Sequence, residues 1–144
     1  MRTFAQWRLI LPMICLAISY GCQTKDHSEQ PQPHWVQVPI TDLSIVEGKW
    51  DGLMRRVPPE RRADWVTVTI ASNGRYQFSS LRTIGVFSGH GEFSVNEGKL
   101  RSHSDRGTVE AVLYEAGSQR MLKATGRAAD GTEYTAEVKP AKAR

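Results

Sequence analysis

Val66 to Phe78 reads VTVTIASNGRYQF, and this stretch decides the fold class. Val66, Val68 and Ile70 alternate with Thr67 and Thr69, the period of two that places one face in a core and the other in water. Ser72-Asn73-Gly74 supplies a tight turn, after which Tyr76 and Phe78 resume the alternation. Two strands joined by so short a loop must run antiparallel and side by side.

The same pattern extends in both directions. Lys49 to Val57 precedes the pair, and Val86 to Val95, Lys99 to His103, Thr108 to Tyr114, Arg120 to Ala128 and Glu133 to Val138 follow it. Turn chemistry separates them at Asn96-Glu97-Gly98, Asp105-Arg106-Gly107, Ala116-Gly117-Ser118 and Asp130-Gly131. The expected fold is all-β: a single antiparallel meander of about eight short strands, closed as a barrel or left as a strongly curled sheet. Ser88-Gly89-His90-Gly91 is expected to bend the longest strand. Pro59 to Trp65 (PERRADW) allows a helix of one turn or two.

The first 34 residues have a different character. Met1 to Arg8 carries two arginines and no acid, Leu9 to Tyr20 (LILPMICLAISY) is almost wholly apolar, and Gly21-Cys22 follows. A basic segment, an apolar run and a small residue at a cut site make a secretory signal. The run is shorter than the roughly 20 residues a spanning helix needs, and Pro12 interrupts it. Ala17-Ile18-Ser19 offers a second, ordinary cleavage site after Ser19.

ILPMICLAISYGC resembles the bacterial lipoprotein signal, in which a small residue precedes a lipidated cysteine. The resemblance implies cleavage before Cys22, a diacylglyceryl thioether on its sulfur and an added acyl chain such as palmitate. It implies an envelope protein held on a bilayer through Cys22, at the outer membrane facing the periplasm where the organism has one, since Gln23 follows the cysteine. Two or more chains hold firmly where one binds marginally. Cys15 would leave with the signal, so the remaining chain has no second cysteine to pair with Cys22.

The expected organisation is a signal over residues 1–21, the lipidated cysteine with a flexible linker over 22–34, a β-barrel-like domain over 35–139 and a basic tail over 140–144. Gln23 to His34 (QTKDHSEQPQPH) has two prolines and no aliphatic residue, too little apolar surface to offset its ordering entropy. Removing residues 1–21 leaves 17 basic groups against 15 acidic ones. So small a surplus gives no nucleic-acid footprint.

Gly48-Lys49-Trp50, with Gly52 close behind, resembles the opening strand of the calycin group, the lipocalin and avidin-like barrels. The resemblance implies that Gly48 permits close packing, that Trp50 plugs one end of the barrel, and that a late arginine, here Arg127, stacks on it. It also implies an interior that takes a small apolar or anionic amphiphilic ligand.

No catalytic constellation stands out: there is no Gly-x-Ser-x-Gly elbow, no HExxH and no phosphate-cradling glycine loop before a helix. His90 with His103 and Asp105 lacks metal-ligand spacing, so neither a metal nor a cofactor is expected. The one departure from background is Arg55, Arg56, Arg61 and Arg62, four arginines in eight residues after the first strand. Arginine forks match carboxylate and phosphate, which makes these four the candidate ligand-binding residues at a barrel mouth. The sequence favours a non-enzymatic envelope module that meets a protein partner through its surface. A barrel taking an amphiphile inside is the second reading, and an envelope hydrolase, which would need carboxylates or histidines converging in one cleft, is the third.

Overall fold

A computed structural model describes residues 33–58, 63–81 and 86–142. The expected signal, Cys22, most of the linker, Arg61, Arg62 and the end of the tail lie outside the described residues. The strands are β1 (Val36–Val38), β2 (Gly48–Val57), β3 (Asp64–Ile70), β4 (Arg75–Leu81), β5 (Val86–Glu92), β6 (Ser94–Asn96), β7 (Lys99–Ser104), β8 (Gly107–Ala116), β9 (Gln119–Ala128) and β10 (Glu133–Pro140). One turn of 3-10 helix, Leu43–Val46, precedes β2.

The protein is all-β, an antiparallel sheet that curls until its first long strand pairs with its last. β2 meets β10 from Trp50↔Pro140 to Val57↔Glu133, and each remaining hairpin joins sequence neighbours. The expected strand over Val86 to Val95 divides at Phe93. Its first part, β5, pairs with β4, and its second part, β6, pairs with β7. One strand thus changes partner and carries the sheet round, leaving a short stretch where, among the described residues, no ladder joins β5 to β7. β1, which the alternation pattern did not reveal, is a three-residue strand laid on the far end of β8.

Local chemistry explains each reversal. In the Ala71–Gly74 loop, Gly74 donates to Ala71 O at 2.9 Å, and the Asn73 side chain accepts from Arg75 N at 3.1 Å. Asp130 accepts from Thr132 N at 2.9 Å in the same manner. Glu97 and Gly98 both take positive φ, 52° and 74°, the mirror-image turn that suits the twist of a two-residue hairpin.

Three expectations change. Asp64 and Trp65 belong to β3, not to a helix, because Trp65 and Val66 continue the period of two. Ser88 to Gly91 lies within regular β5, and the change of partner falls at Phe93. The glycines there serve close approach instead. A Cβ at Gly89 would lie 2.5 Å from the Phe78 ring, and one at Gly91 would lie 2.6 Å from the Tyr76 hydroxyl. Finally, the ladder runs past Val138 into the expected tail, with Ala141 N donating to Lys49 O at 2.8 Å.

The inward positions follow from register. Trp50 lies opposite Val68, Ile70 opposite Tyr76, Ala111 opposite Ala124 and Leu113 opposite Leu122. Trp50, Ile70, Tyr76, Ala111, Leu113 and Leu122 join Val46, Val66, Leu100 and Val138 in one buried cluster, with Val68 and Ala124 partly buried against it. Burial of this apolar set, at about 25 cal/mol per Å², is the main force holding the sheet closed.

Candidate functional site

Trp50 lies at the end of the barrel where β2 begins, only 2% exposed. Gly48, two residues earlier, has φ +124°, a conformation side chains rarely adopt, which lets the chain turn from the 3-10 helix into β2. Asp42 caps that helix, its Oδ1 accepting from Ser44 N at 2.8 Å. Hydrogen bonds from Ser44 hold the Asp42 carboxyl below the usual range. The indole Nε1 of Trp50 donates to Val46 O at 2.9 Å, so the one polar atom of the buried ring is satisfied by the preceding 3-10 helix.

The arginine on Trp50 is Arg120, not Arg127. Its guanidinium carbon lies 5.8 Å from the indole centroid, its Nη2 donates to Ile45 O, and its Nε lies 3.3 Å from Glu115 Oε1. Arg127 stands seven residues further along β9, an odd offset that turns it to the opposite face and roughly 24 Å away. There it pairs with Glu133. The signal that would have found Arg120 was its even spacing from the inward Leu122 and Ala124.

Arg55 and Arg56 do not sit in a loop. β2 runs on to Val57, so the two side chains point to opposite faces of the sheet. Arg56 shares the inward parity of Trp50 and Met54, lies opposite Tyr134 and reaches Thr132 Oγ1 at 3.4 Å. Arg55 faces outward, opposite Thr135. The other two members of the expected cluster, Arg61 and Arg62, are among the residues not described.

Two open grooves mark the outer surface. The larger, about 560 Å³, is crossed by two rows of residues in register. One row runs Ser94, Arg101, Glu110, Thr125, Thr135. The other runs His103, Thr108, Arg127, Glu133, Val57. Both carboxylates are already engaged. Glu110 accepts from Lys99 Nζ at 2.7 Å and Arg101 Nε at 3.1 Å, and Arg127 Nε donates to Glu133 at 3.1 Å. The hydrogen bond from Lys99 is the largest cause holding the Glu110 carboxyl below its usual range, with Arg101 adding to it and partial desolvation opposing. Such a surface suits polar contact more than proton transfer.

His103 lines this groove, while His90 lines the smaller one of about 420 Å³ with Arg106. Among the described residues no three His, Cys, Asp or Glu side chains gather to hold a metal. Nor is any described helix long and apolar enough to cross a membrane.

The outer face also carries apolar side chains that patterning alone did not single out. Leu53, Val57, Trp65 and Leu81 are 42%, 43%, 50% and 64% exposed. Leu53 lies directly opposite Trp65, and Trp65 directly opposite Leu81. Inside, the Ser80 hydroxyl is fully buried with no hydrogen-bond partner among the described residues. Compared with known families, curated proteins and solved structures, the chain matches none.

Proposed function

We propose that this protein is a lipid-anchored module of the bacterial cell envelope, non-enzymatic, that works through the outer surface of its sheet. The observation that carries the reading is the contrast between its two faces. Indole, leucine and valine side chains fill the Trp50 end of the interior, while Leu53, Trp65 and Leu81 stand in water outside. Exposed apolar side chains in one row are the usual mark of a contact surface. The anchor comes from the sequence, through Gly21-Cys22 after an apolar run. Cys22→Ser, followed by cell fractionation and mass analysis of the N-terminal peptide, tests it. The wild-type chain is expected to sediment with membranes and to yield a lipid-modified peptide, and the variant to do neither. Membrane sedimentation unchanged by the substitution, with no acyl mass on the native peptide, would end the reading. Cross-linking in cells then asks whether a protein partner is held.

A second reading has its own observation. The buried Ser80 hydroxyl lacks a partner among the described residues, and Ala111, Ala124, Gly126 and Ala136 all take inward positions with little side chain. An amphiphile whose polar group meets Ser80 would satisfy that hydroxyl. The Gly48-x-Trp50 opening with Arg120 on the indole supports the calycin-like resemblance on which this reading rests. Native mass spectrometry of detergent-free protein should then show a bound lipid-sized mass, and an empty protein after gentle purification would dismiss it.

A further inference from the structure

Leu53, Trp65 and Leu81 occupy one row across β2, β3 and β4, each directly opposite the next and each facing outward. Strand spacing makes this row about 10 Å wide, and Val57 extends it about 13 Å along β2. From their fractional exposure, the four side chains present on the order of 400 Å² of apolar surface. A stable protein interface needs about 800 Å² from each partner, so the patch is too small for a lasting dimer through this face alone.

The charges around the row favour a different occupant. Asp51, beside Leu53 on the same strand face, accepts from Thr67 Oγ1 at 2.6 Å. Glu137, opposite Leu53, pairs with Lys123 at 3.0 Å. Arg55, between Leu53 and Val57, has no ion-pair partner among the described residues. Asp51 keeps its charge but has Lys139 directly opposite it in register, and Glu137 is paired with Lys123, so each of these acids has a cation beside it and Arg55 is the one remaining.

We infer that this face rests on an anionic bilayer surface, with Trp65 and Leu81 entering the headgroup region and Arg55 meeting lipid phosphate. Indole is suited to that boundary, being apolar over most of its body with one polar N–H, and a guanidinium forks onto phosphate. The inference rests on the lipid-anchored reading for its biological setting. The anchor permits it: twelve linker residues reach roughly 40 Å when extended, against about 30 Å for the length of β2.

The test uses the full chain reconstituted into phosphatidylcholine–phosphatidylglycerol vesicles whose acyl chains are brominated near the headgroup. Trp65 emission should be quenched. Trp65→Phe should remove most of the quenching, Trp35→Phe should leave it, and the pair Leu53→Ser with Leu81→Ser should reduce it several-fold. Trp65 faces outward, so its replacement leaves the core intact, and an unchanged β-sheet circular dichroism spectrum verifies this. Quenching that survives Trp65→Phe would overturn the inference. So would a dimer in detergent that dissociates in Leu81→Ser, which would give the face to a second copy, or an envelope protein cross-linked at this row in its place. The N-terminal peptide mass from the same sample separates the two ideas. A lipidated chain with unquenched Trp65 refutes only the face, and an unlipidated chain with quenched Trp65 refutes only the anchor.

Discussion

The Tyr76 hydroxyl on β4 donates to the Ser102 hydroxyl on β7 at 3.3 Å, reaching past β5 to do so. The ring lies against Gly91 and stacks on Phe93 with centroids 4.2 Å apart. It therefore spans from inside the stretch where β5 and β7 lack ladder pairing. Side chains close the barrel where backbone does not.

Tyr76→Phe is expected to cost about 1 kcal/mol, since it removes one hydrogen bond and strands the buried Ser102 hydroxyl. Gly91→Ala should cost more, about 2 kcal/mol, because the new methyl would meet the ring and the ring has nowhere to move. The two should be non-additive in a double-mutant cycle read by urea unfolding. Independent effects would show that the ring does not depend on Gly91.

Arg120→Ala should destabilise by about 2–3 kcal/mol. It removes a cation from the Trp50 ring and leaves the Ile45 carbonyl without its donor. Arg120→Lys should recover only part of this, because an ammonium cannot lie flat on indole while also reaching the carbonyl. Arg127→Ala, at an exposed pair, should change stability by less than about 1 kcal/mol. Urea midpoints followed by tryptophan emission would rank the three, and equal losses at Arg120 and Arg127 would contradict the assignment.

Ser80→Ala should leave stability unchanged or raise it by up to about 1 kcal/mol. The serine hydroxyl has given up water without gaining a partner among the described residues, and a methyl group carries no such penalty. A large loss of stability would mean that something held inside the barrel uses that hydroxyl.

Glu110 should make stability depend on pH in the acid range. Its carboxyl is held below the ordinary value of 4.5, first by the hydrogen bond from Lys99. A depressed folded value means that the carboxylate stabilises the fold above the unfolded value, and that this stabilisation is lost as pH falls through the folded one. The difference in urea midpoint between wild type and Glu110→Gln should therefore be full near neutrality and shrink below pH 4.5. High salt should reduce it at neutral pH, since these side chains lie partly in water.

The strand period and the turn residues were enough to specify an all-β meander, its hairpins and the inward face of Val66 to Phe78, because both act over a few neighbouring residues. The eight expected strands are present, one of them divided. Gly48 and Trp50 were singled out through the resemblance to the calycin opening strand, and Gly21-Cys22 remains readable only as sequence. Which arginine covers Trp50 was decided by tertiary structure, since it depends on how β9 is registered against β2 across β10. The division at Phe93, the short β1 and the joining of β2 to β10 likewise involve partners far apart in the chain. The row of Leu53, Trp65 and Leu81 shows this most plainly. Each is an unremarked apolar residue in its own strand, and only the register of three strands sets them side by side. Local periodicity determines which way a side chain points, whereas long-range pairing determines what it meets.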